Sequence, residues 1–235
     1  RMIATQLPLT LQISEAASFD NFFIGDNTEL IECLKPTDCG VLNGESVIFF
    51  WGNPSSGKTH LLHASCRYAV AQGQAASYLS LKQSASLKIE VFNHLEKLSL
   101  ICIDDFQAIV GNSTWEQALF HLYNRVYDAD CQLLIASSES LANLSIALAD
   151  LKSRLAWGLV FRLHDLSDID KIAALRLRAN ARGFELSEKV GEFLLRRFPR
   201  DMNSLFALLD ELDVATLSAQ RKLTIPFIKY WMSER

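Results

Sequence analysis

The sequence predicts an α/β fold: a parallel sheet covered by helices, followed by a small all-helical domain. Three observations lead there. The segment Gly52-Asn53-Pro54-Ser55-Ser56-Gly57-Lys58-Thr59 fits G-x-x-x-x-G-K-[ST] at every defined position and lies between an apolar run and a helical pattern. Strand-length apolar runs alternate with helical stretches as far as Leu163, the mark of successive βα units. After Leu166 only helical patterns remain.

Taken in order, residues 1–18 contain Gln6-Leu7-Pro8-Leu9-Thr10-Leu11, an apolar peptide with no partner strand nearby. Two readings stay open: a frayed or edge-strand terminus, or an extended peptide that docks Leu7, Leu9 and Leu11 in a partner's pocket while Gln6 sets register. Residues 27–34 read as a capped helix ended by Pro36, and 35–46 as a loop. Val47-Ile48-Phe49-Phe50-Trp51 is the strand that feeds the glycine-bounded loop. A helix runs from Lys58 to about Gln72, where Gly73 stops it, and residues 76–81 form the next strand. Residues 98–106 are a further strand, 115–127 an amphipathic helix, 132–138 a strand expected between the two motif-bearing strands, and 159–163 the last strand. Helices follow over 168–182, 187–199, 201–220 and 226–232.

The glycine-bounded loop is a P-loop. Gly52 and Gly57 allow a turn tight enough to aim backbone N–H groups of Asn53, Pro54-flanking Ser55 and Ser56 at phosphate oxygens, aided by the positive end of the following helix. Lys58 is placed to reach the β- and γ-phosphates and Thr59 to hold Mg²⁺, with His60 next to them at the helix start. The run Leu98-Ser99-Leu100-Ile101-Cys102-Ile103 ends in Asp104 and Asp105, a Walker B arrangement, since ligands of such sheets lie beyond the carboxyl ends of the strands. Asp104 is expected to coordinate Mg²⁺ through water, and Asp105 to orient or deprotonate an attacking water if hydrolysis occurs here. Strand 132–138 would bring Ser137 or Ser138 near the γ-phosphate.

The bulk properties bound the rest. A hydrophobic fraction of 49 % and a charged fraction of 21 % suit a globular chain with a sizeable core. The net charge of −4 argues against affinity resting on a broad basic surface for nucleic acid. Five scattered cysteines without a C-x-x-C pair point to a reducing compartment, with neither a disulfide framework nor a zinc site. His60 and His63 lie one helical turn apart, yet no third metal ligand of suitable spacing is evident. No stretch of about 18 apolar residues occurs, which excludes a transmembrane helix and leaves a cytoplasmic protein as the expectation.

A P-loop α/β domain followed by a helical lid resembles the AAA+ superfamily. Within it, Gly57-Lys58-Thr59-His60-Leu61-Leu62-His63-Ala64 and Phe19-Asp20-Asn21-Phe22 are similar to the bacterial replication initiator DnaA and its relatives. The resemblance implies an AAA+ P-loop NTPase fold, with an N-terminal peptide over 1–18, the nucleotide-binding domain over 19–165 and the lid over 166–235. It also implies ADP or ATP with Mg²⁺ as cofactor, and Asn21 and Phe22 near the base. Leu151-Lys152-Ser153-Arg154-Leu155-Ala156-Trp157-Gly158 resembles the initiator's arginine-finger box, which places the finger on Arg154. The initiator's sensor I acid aligns with Ser138, and its sensor II arginine with Asn203. Neither replacement carries the charge, so preference for a triphosphate over a diphosphate should weaken. Arg200 is either a substitute or a solvated lid arginine.

The initiator carries a helix-turn-helix DNA-binding domain after its lid, and this sequence reaches Arg235 without one. With Gln6–Leu11 at the other end, the chain is similar to DnaA-related regulators that switch the initiator off. That resemblance implies an inhibitor of chromosomal replication acting in regulatory inactivation of DnaA. It implies binding to the DNA polymerase sliding clamp through Gln6, Leu7, Leu9 and Leu11, with DNA met mainly through partners. Arg154 would then act in trans on ATP held by the initiator, activating the partner's ATPase rather than its own. A homodimer hiding Arg154 is a resting form the resemblance allows. An autonomous AAA+ ATPase, with Lys58, Thr59, Asp104 and Asp105 all intact, and a helicase-loader-like adaptor are the alternatives.

Overall fold

The computed structural model describes residues 17–35, 46–129 and 131–234. The Gln6–Leu11 peptide, the loop centred on residues 36–45 and Cys39 lie outside the described residues. Backbone contacts group the chain into two units, one of residues 17–19 with Asn27–Leu163, the other of Asp20–Asp26 with residues 164–234.

The first unit is built on a five-stranded sheet: β1 (Val47–Trp51), β2 (Ala76–Ser80), β3 (Leu100–Asp104), β4 (Gln132–Ser137) and β5 (Leu159–Arg162). Its spatial order is β2-β3-β4-β1-β5, with every pair parallel. β4 therefore lies between the strand entering the P-loop and the strand ending in the two aspartates, as expected. The inner strands read as unbroken apolar runs because both faces are covered. Successive side chains alternate faces. Val47, Phe49, Ile101, Ile103, Leu133 and Ile135 join one buried cluster with helices α3 (Ser113–Tyr127) and α4 (Ala149–Trp157). Ile48, Phe50, Cys102 and Leu134 are equally buried on the opposite side. There α2 (Lys58–Ala71) packs against β2, β3 and β4. Helix α1 (Thr28–Leu34) buries Leu30, Ile31 and Leu34.

Element limits differ from expectation where the backbone is unusual. The strand expected over 98–106 stops at Asp104, because Asp105 takes a left-handed conformation (φ 58°) and starts a 3-10 turn over Phe106–Ile109. Between β2 and β3 the chain makes three more 3-10 turns, Leu81–Gln83, Ile89–Phe92 and Leu95–Lys97, which bury Leu81, Phe92 and Leu95.

The second unit contains α5 (Asp168–Ala181), α6 (Glu188–Arg197), α7 (Met202–Ala219) and α8 (Ile225–Ser233). Each starts on a side chain that accepts a backbone N–H three residues on: Ser167 from Asp170, Ser187 from Val190, Asp201 from Ser204 and Thr224 from Phe227. Such caps satisfy amides that the first helical turn leaves without partners. Leu175, Leu194, Leu205, Leu209, Leu212 and Ile228 form its dry core. Arg178 of α5 and Arg182, its C-cap, pair with Asp210 and Asp213 of α7 at partly exposed positions. Pairs of that exposure contribute at most about 1 kcal/mol each. Among the described residues, no helix is long and apolar enough to cross a membrane.

Candidate phosphate-binding site

The loop after β1 is held open by its neighbours. Gly52 N–H donates to the Ser137 carbonyl (3.2 Å), which ties the loop's start to the end of β4. A Cβ on Gly52 would stand 2.8 Å from the Leu163 carbonyl oxygen and 3.0 Å from Ser56 Oγ, so only glycine lets the chain turn there. Ser55 (φ 64°) and Gly57 (φ 103°) are left-handed. That alternation of conformations curls the loop in the manner of backbone nests that bind anions, and within it the Ser56 N–H donates to the Asn53 carbonyl (3.2 Å).

Several features fit an anionic group. Gly57, the N-cap of α2, offers no side chain to its first-turn amides, and that turn carries no acidic residue. Ser56 Oγ is buried with no hydrogen-bond partner, an expensive state for a hydroxyl unless a ligand oxygen completes it. The Lys58 ammonium folds back over the loop onto the carbonyls of Gly52 (2.7 Å) and Asn53 (2.8 Å). It is thus stored inside the hollow a phosphate chain would enter.

At the end of β3, Asp104 is almost wholly buried. Its Oδ2 accepts from Thr59 Oγ1 (2.5 Å) and Tyr78 Oη (3.1 Å), and its Oδ1 from the Asp105 amide (2.8 Å). Burial pushes the Asp104 carboxyl up from its usual range, while the Thr59 hydrogen bond pulls it back. The same burial, with the carboxylate beside it, raises the Tyr78 phenol, so it stays a donor. His63 stacks on Tyr78 with ring centroids 4.1 Å apart, and burial lowers its pKa. Its Nδ1 is buried without a partner, as suits a neutral ring. Among the described residues, no group of three or more His, Cys, Asp or Glu side chains could hold a metal. Any cation here would rest on the Thr59 and Asp104 oxygens together with ligands from outside the chain.

Asp105 is engaged on both oxygens. Ser80 Oγ donates to Oδ2 (2.9 Å) and Gln107 Nε2 to Oδ1 (3.2 Å). Gln107 Oε1 accepts in turn from the Ser138 amide (2.9 Å) and the Ser137 hydroxyl (3.3 Å). One side chain thus joins the Walker B strand's end to that of β4. His60 directs Nε2 to the Ser18 carbonyl (2.9 Å), while Arg67 donates to the Ala17 carbonyl and Phe19 meets Tyr68 edge-on. His60 therefore straps residues 17–19 onto α2.

Arg154 lies on α4, whose Leu151 and Leu155 are buried. Its guanidinium sits 4.8 Å above the ring of Trp157, which is 66 % exposed. Among the described residues no carboxylate pairs with it. Asn21, Phe22, Arg200 and Asn203 belong to the helical unit. Arg200 donates to the Leu195 carbonyl (3.1 Å) and pairs with Asp168 (3.4 Å), and Asn203 is exposed in the first turn of α7. The structure thus assembles Gly52 through Thr59, Asp104, Asp105 and Ser138 in one unit and holds the lid positions in the other. Sequence reasoning missed Ser80, Tyr78 and Gln107. Ser80 was findable, since it closes a neighbouring strand opposite Asp104 in register.

A family model described as the bacterial DnaA ATPase domain matches residues 13–162, and one described as the Hda lid domain matches residues 168–232. Among solved structures, domain III of the Thermotoga maritima replication initiation protein DnaA superposes with a TM-score of 0.74 at 22 % identity. That match covers 89 % of this chain and 92 % of that one. AMPPCP-bound DnaA from Aquifex aeolicus gives a TM-score of 0.70 at 23 % identity, over 85 % of this chain and 66 % of that one. The RuvB Holliday junction branch migration motor of T. maritima gives 0.70 at 16 % identity, over 94 % and 73 %. These likenesses establish an AAA+ fold. With more than half its length matched by the DnaA ATPase-domain model and its helical unit by the Hda lid model, the chain belongs to the DnaA-related, Hda-like family of AAA+ proteins.

Proposed function

We propose that this chain is a replication regulator that binds an adenine nucleotide in its own P-loop and acts on ATP held by the initiator DnaA. The carrying observation is Arg154, a guanidinium mounted on an exposed tryptophan and unclaimed by any carboxylate among the described residues. Presented in trans, such a group neutralises charge developing on a transferring phosphoryl, an effect worth roughly 10³–10⁵ in rate. Its own site is built for holding nucleotide rather than for turnover. Amides of the loop after Gly52 and the Ser56 hydroxyl would cradle phosphates, Lys58 would leave its carbonyls for them, and Thr59 with Asp104 would hold Mg²⁺, which supplies charge neutralisation when bound. Asp105 already accepts from Ser80 and Gln107, one bond on each oxygen, which fixes its carboxylate in place. Ser138 and Asn203, in place of charged sensors, favour ADP as a resting ligand. His60 follows Thr59 at the start of α2. Gln6, Leu7, Leu9 and Leu11 would tether the chain to the sliding clamp, raising its effective concentration near DNA in the cytoplasm. A homodimer that covers Arg154 would be the inactive store.

The deciding experiment measures hydrolysis of initiator-bound ATP on clamp-loaded DNA with wild type, Arg154→Ala and a Gln6/Leu7/Leu9 alanine variant. Wild type stimulates. Arg154→Ala loses about 10³-fold or more of that stimulation, and the peptide variant loses it through the clamp. Absence of stimulation by wild type would leave the second reading, an autonomous ATPase, which predicts turnover by the isolated chain abolished by Asp105→Ala.

A further inference from the structure

We propose that Glu116 is the positioning residue for Arg154, linking the loop behind the Walker B strand to the start of the finger helix; this rests on the in-trans reading of Arg154. Glu116 lies in the first turn of α3 and is completely buried, and among the described residues no cation pairs with it. Three backbone amides satisfy it. Gly111 N–H donates to Oε1 (2.7 Å), Ala147 N–H to Oε1 (3.2 Å) and Leu148 N–H to Oε2 (2.7 Å). Bonds from amides to a buried carboxylate are among the stronger and shorter hydrogen bonds, and leaving any one of the four groups unpaired is costly.

The three amides come from two places that matter. Gly111 (φ 83°) directly follows Val110, the C-cap of the 3-10 turn Phe106–Ile109, and that turn carries Gln107 with its bonds to Asp105 and Ser138. Leu148 is the N-cap of α4 and supplies no side-chain cap of its own. Glu116 therefore does for α4, from another helix, what the acidic residue of a capping box does locally: it takes the amide of the N-cap itself, and its negative charge stands at the positive end of that helix. At the other end, Gly158 approaches β1 so closely that a Cβ would lie 2.5 Å from the Val47 carbonyl oxygen. Helix α4, with Arg154 between these two anchors, is fixed lengthwise. A finger acting on another molecule's phosphoryl group needs that, since displacement by about 1 Å can cost 10²-fold in rate. The connection runs from the P-loop side through Asp105, Gln107, Gly111 and Glu116 to Leu148, so the loop around this chain's own nucleotide and the finger share one carboxylate.

Glu116→Gln tests this in the full chain, because it keeps shape and one acceptor while setting an NH₂ group against an N–H donor. Two readouts are taken: the plateau and half-saturation of initiator ATP hydrolysis, and amide hydrogen exchange over residues 143–157. The expected result is a plateau lower by about 10- to 100-fold at unchanged half-saturation and clamp affinity, with faster exchange at Ala147, Leu148 and α4 within that window. The double variant with Arg154→Ala should be no worse than Arg154→Ala alone. A wild-type plateau in Glu116→Gln beside an inactive Arg154→Ala overturns the positioning role and leaves the finger standing. A wild-type plateau in Arg154→Ala overturns the finger and the role together. Exchange in α4 that does not respond to Glu116→Gln overturns the role whatever the rates show. Should Glu116→Gln fail to fold, Leu148→Pro removes the donor to Glu116 Oε2 at a backbone φ of −84°, near proline's range, and the same outcomes apply.

Discussion

At the residue scale, the site depends on polar atoms that are buried and must be satisfied from within. Tyr78 illustrates the coupling: its hydroxyl holds Asp104 while its ring carries His63. His63 is kept neutral because burial outweighs the attraction of Asp104 for the imidazolium. In the unfolded chain it would take a proton near about pH 6.5. The folded chain therefore binds fewer protons than the unfolded one below that pH, and stability should fall as pH drops from about 7 to 5. His63→Phe, which keeps an aromatic ring on Tyr78, should flatten that part of the Tm-versus-pH curve. An unchanged slope would show that other groups set it. Burial also pushes the Cys131 thiol up to about 12 and raises Cys102, in keeping with structural thiols rather than nucleophiles.

At the element scale, what matters is how strand and helix ends meet. β3 ends at Asp104 because the left-handed Asp105 turns the chain, and the 3-10 turn that follows places Gln107 against β4. Helix α3 fills the space over Phe49, Ile103 and Ile135 with Leu119, Leu122 and Val126, all fully buried. Helix α4 closes on β1 through Gly158, where the backbones touch. Gly158→Ala forces a methyl against a carbonyl oxygen that cannot move without disturbing β1. A loss of about 1–3 kcal/mol is expected, read as a lower urea midpoint at unchanged m-value. A neutral result would mean that α4 shifts freely, which would also weaken the case for a rigid finger helix.

At the scale of the whole molecule, two units with separate cores share one chain that passes between them three times. Mass action links ligand to stability. Mg²⁺ and ADP at 100 times Kd should raise unfolding free energy by about 2.7 kcal/mol. For a chain of this size that is a Tm increase of about 5–10 °C. Lys58→Ala should abolish the increase with little change in the ligand-free Tm. An equal shift in wild type and variant would place the nucleotide elsewhere.

The division between sequence and tertiary structure follows distance along the chain. The phosphate loop, the paired aspartates, the strands and the four capped lid helices were legible because each depends on neighbours within a few residues. Unbroken apolar runs announce buried parallel strands, whereas caps were less legible: the helix expected to be capped, over 27–34, has no side-chain cap bond from Asn27. The AAA+ class and the DnaA relationship were legible for the same reason, since contiguous motifs carry them. Tyr78 on Asp104, Gln107 on Ser138 and Glu116 on Leu148 span 26, 31 and 32 residues. Nothing local marks them, for a buried carboxylate or amide reads in sequence like a solvated one. The turns between β2 and β3 were likewise hidden, because their short apolar stretches have neither helical nor alternating period. The residues alone determined which chemistry is present. Only folding decided which polar groups complete one another, because burial makes an unpaired group costly and so selects partners by position in space.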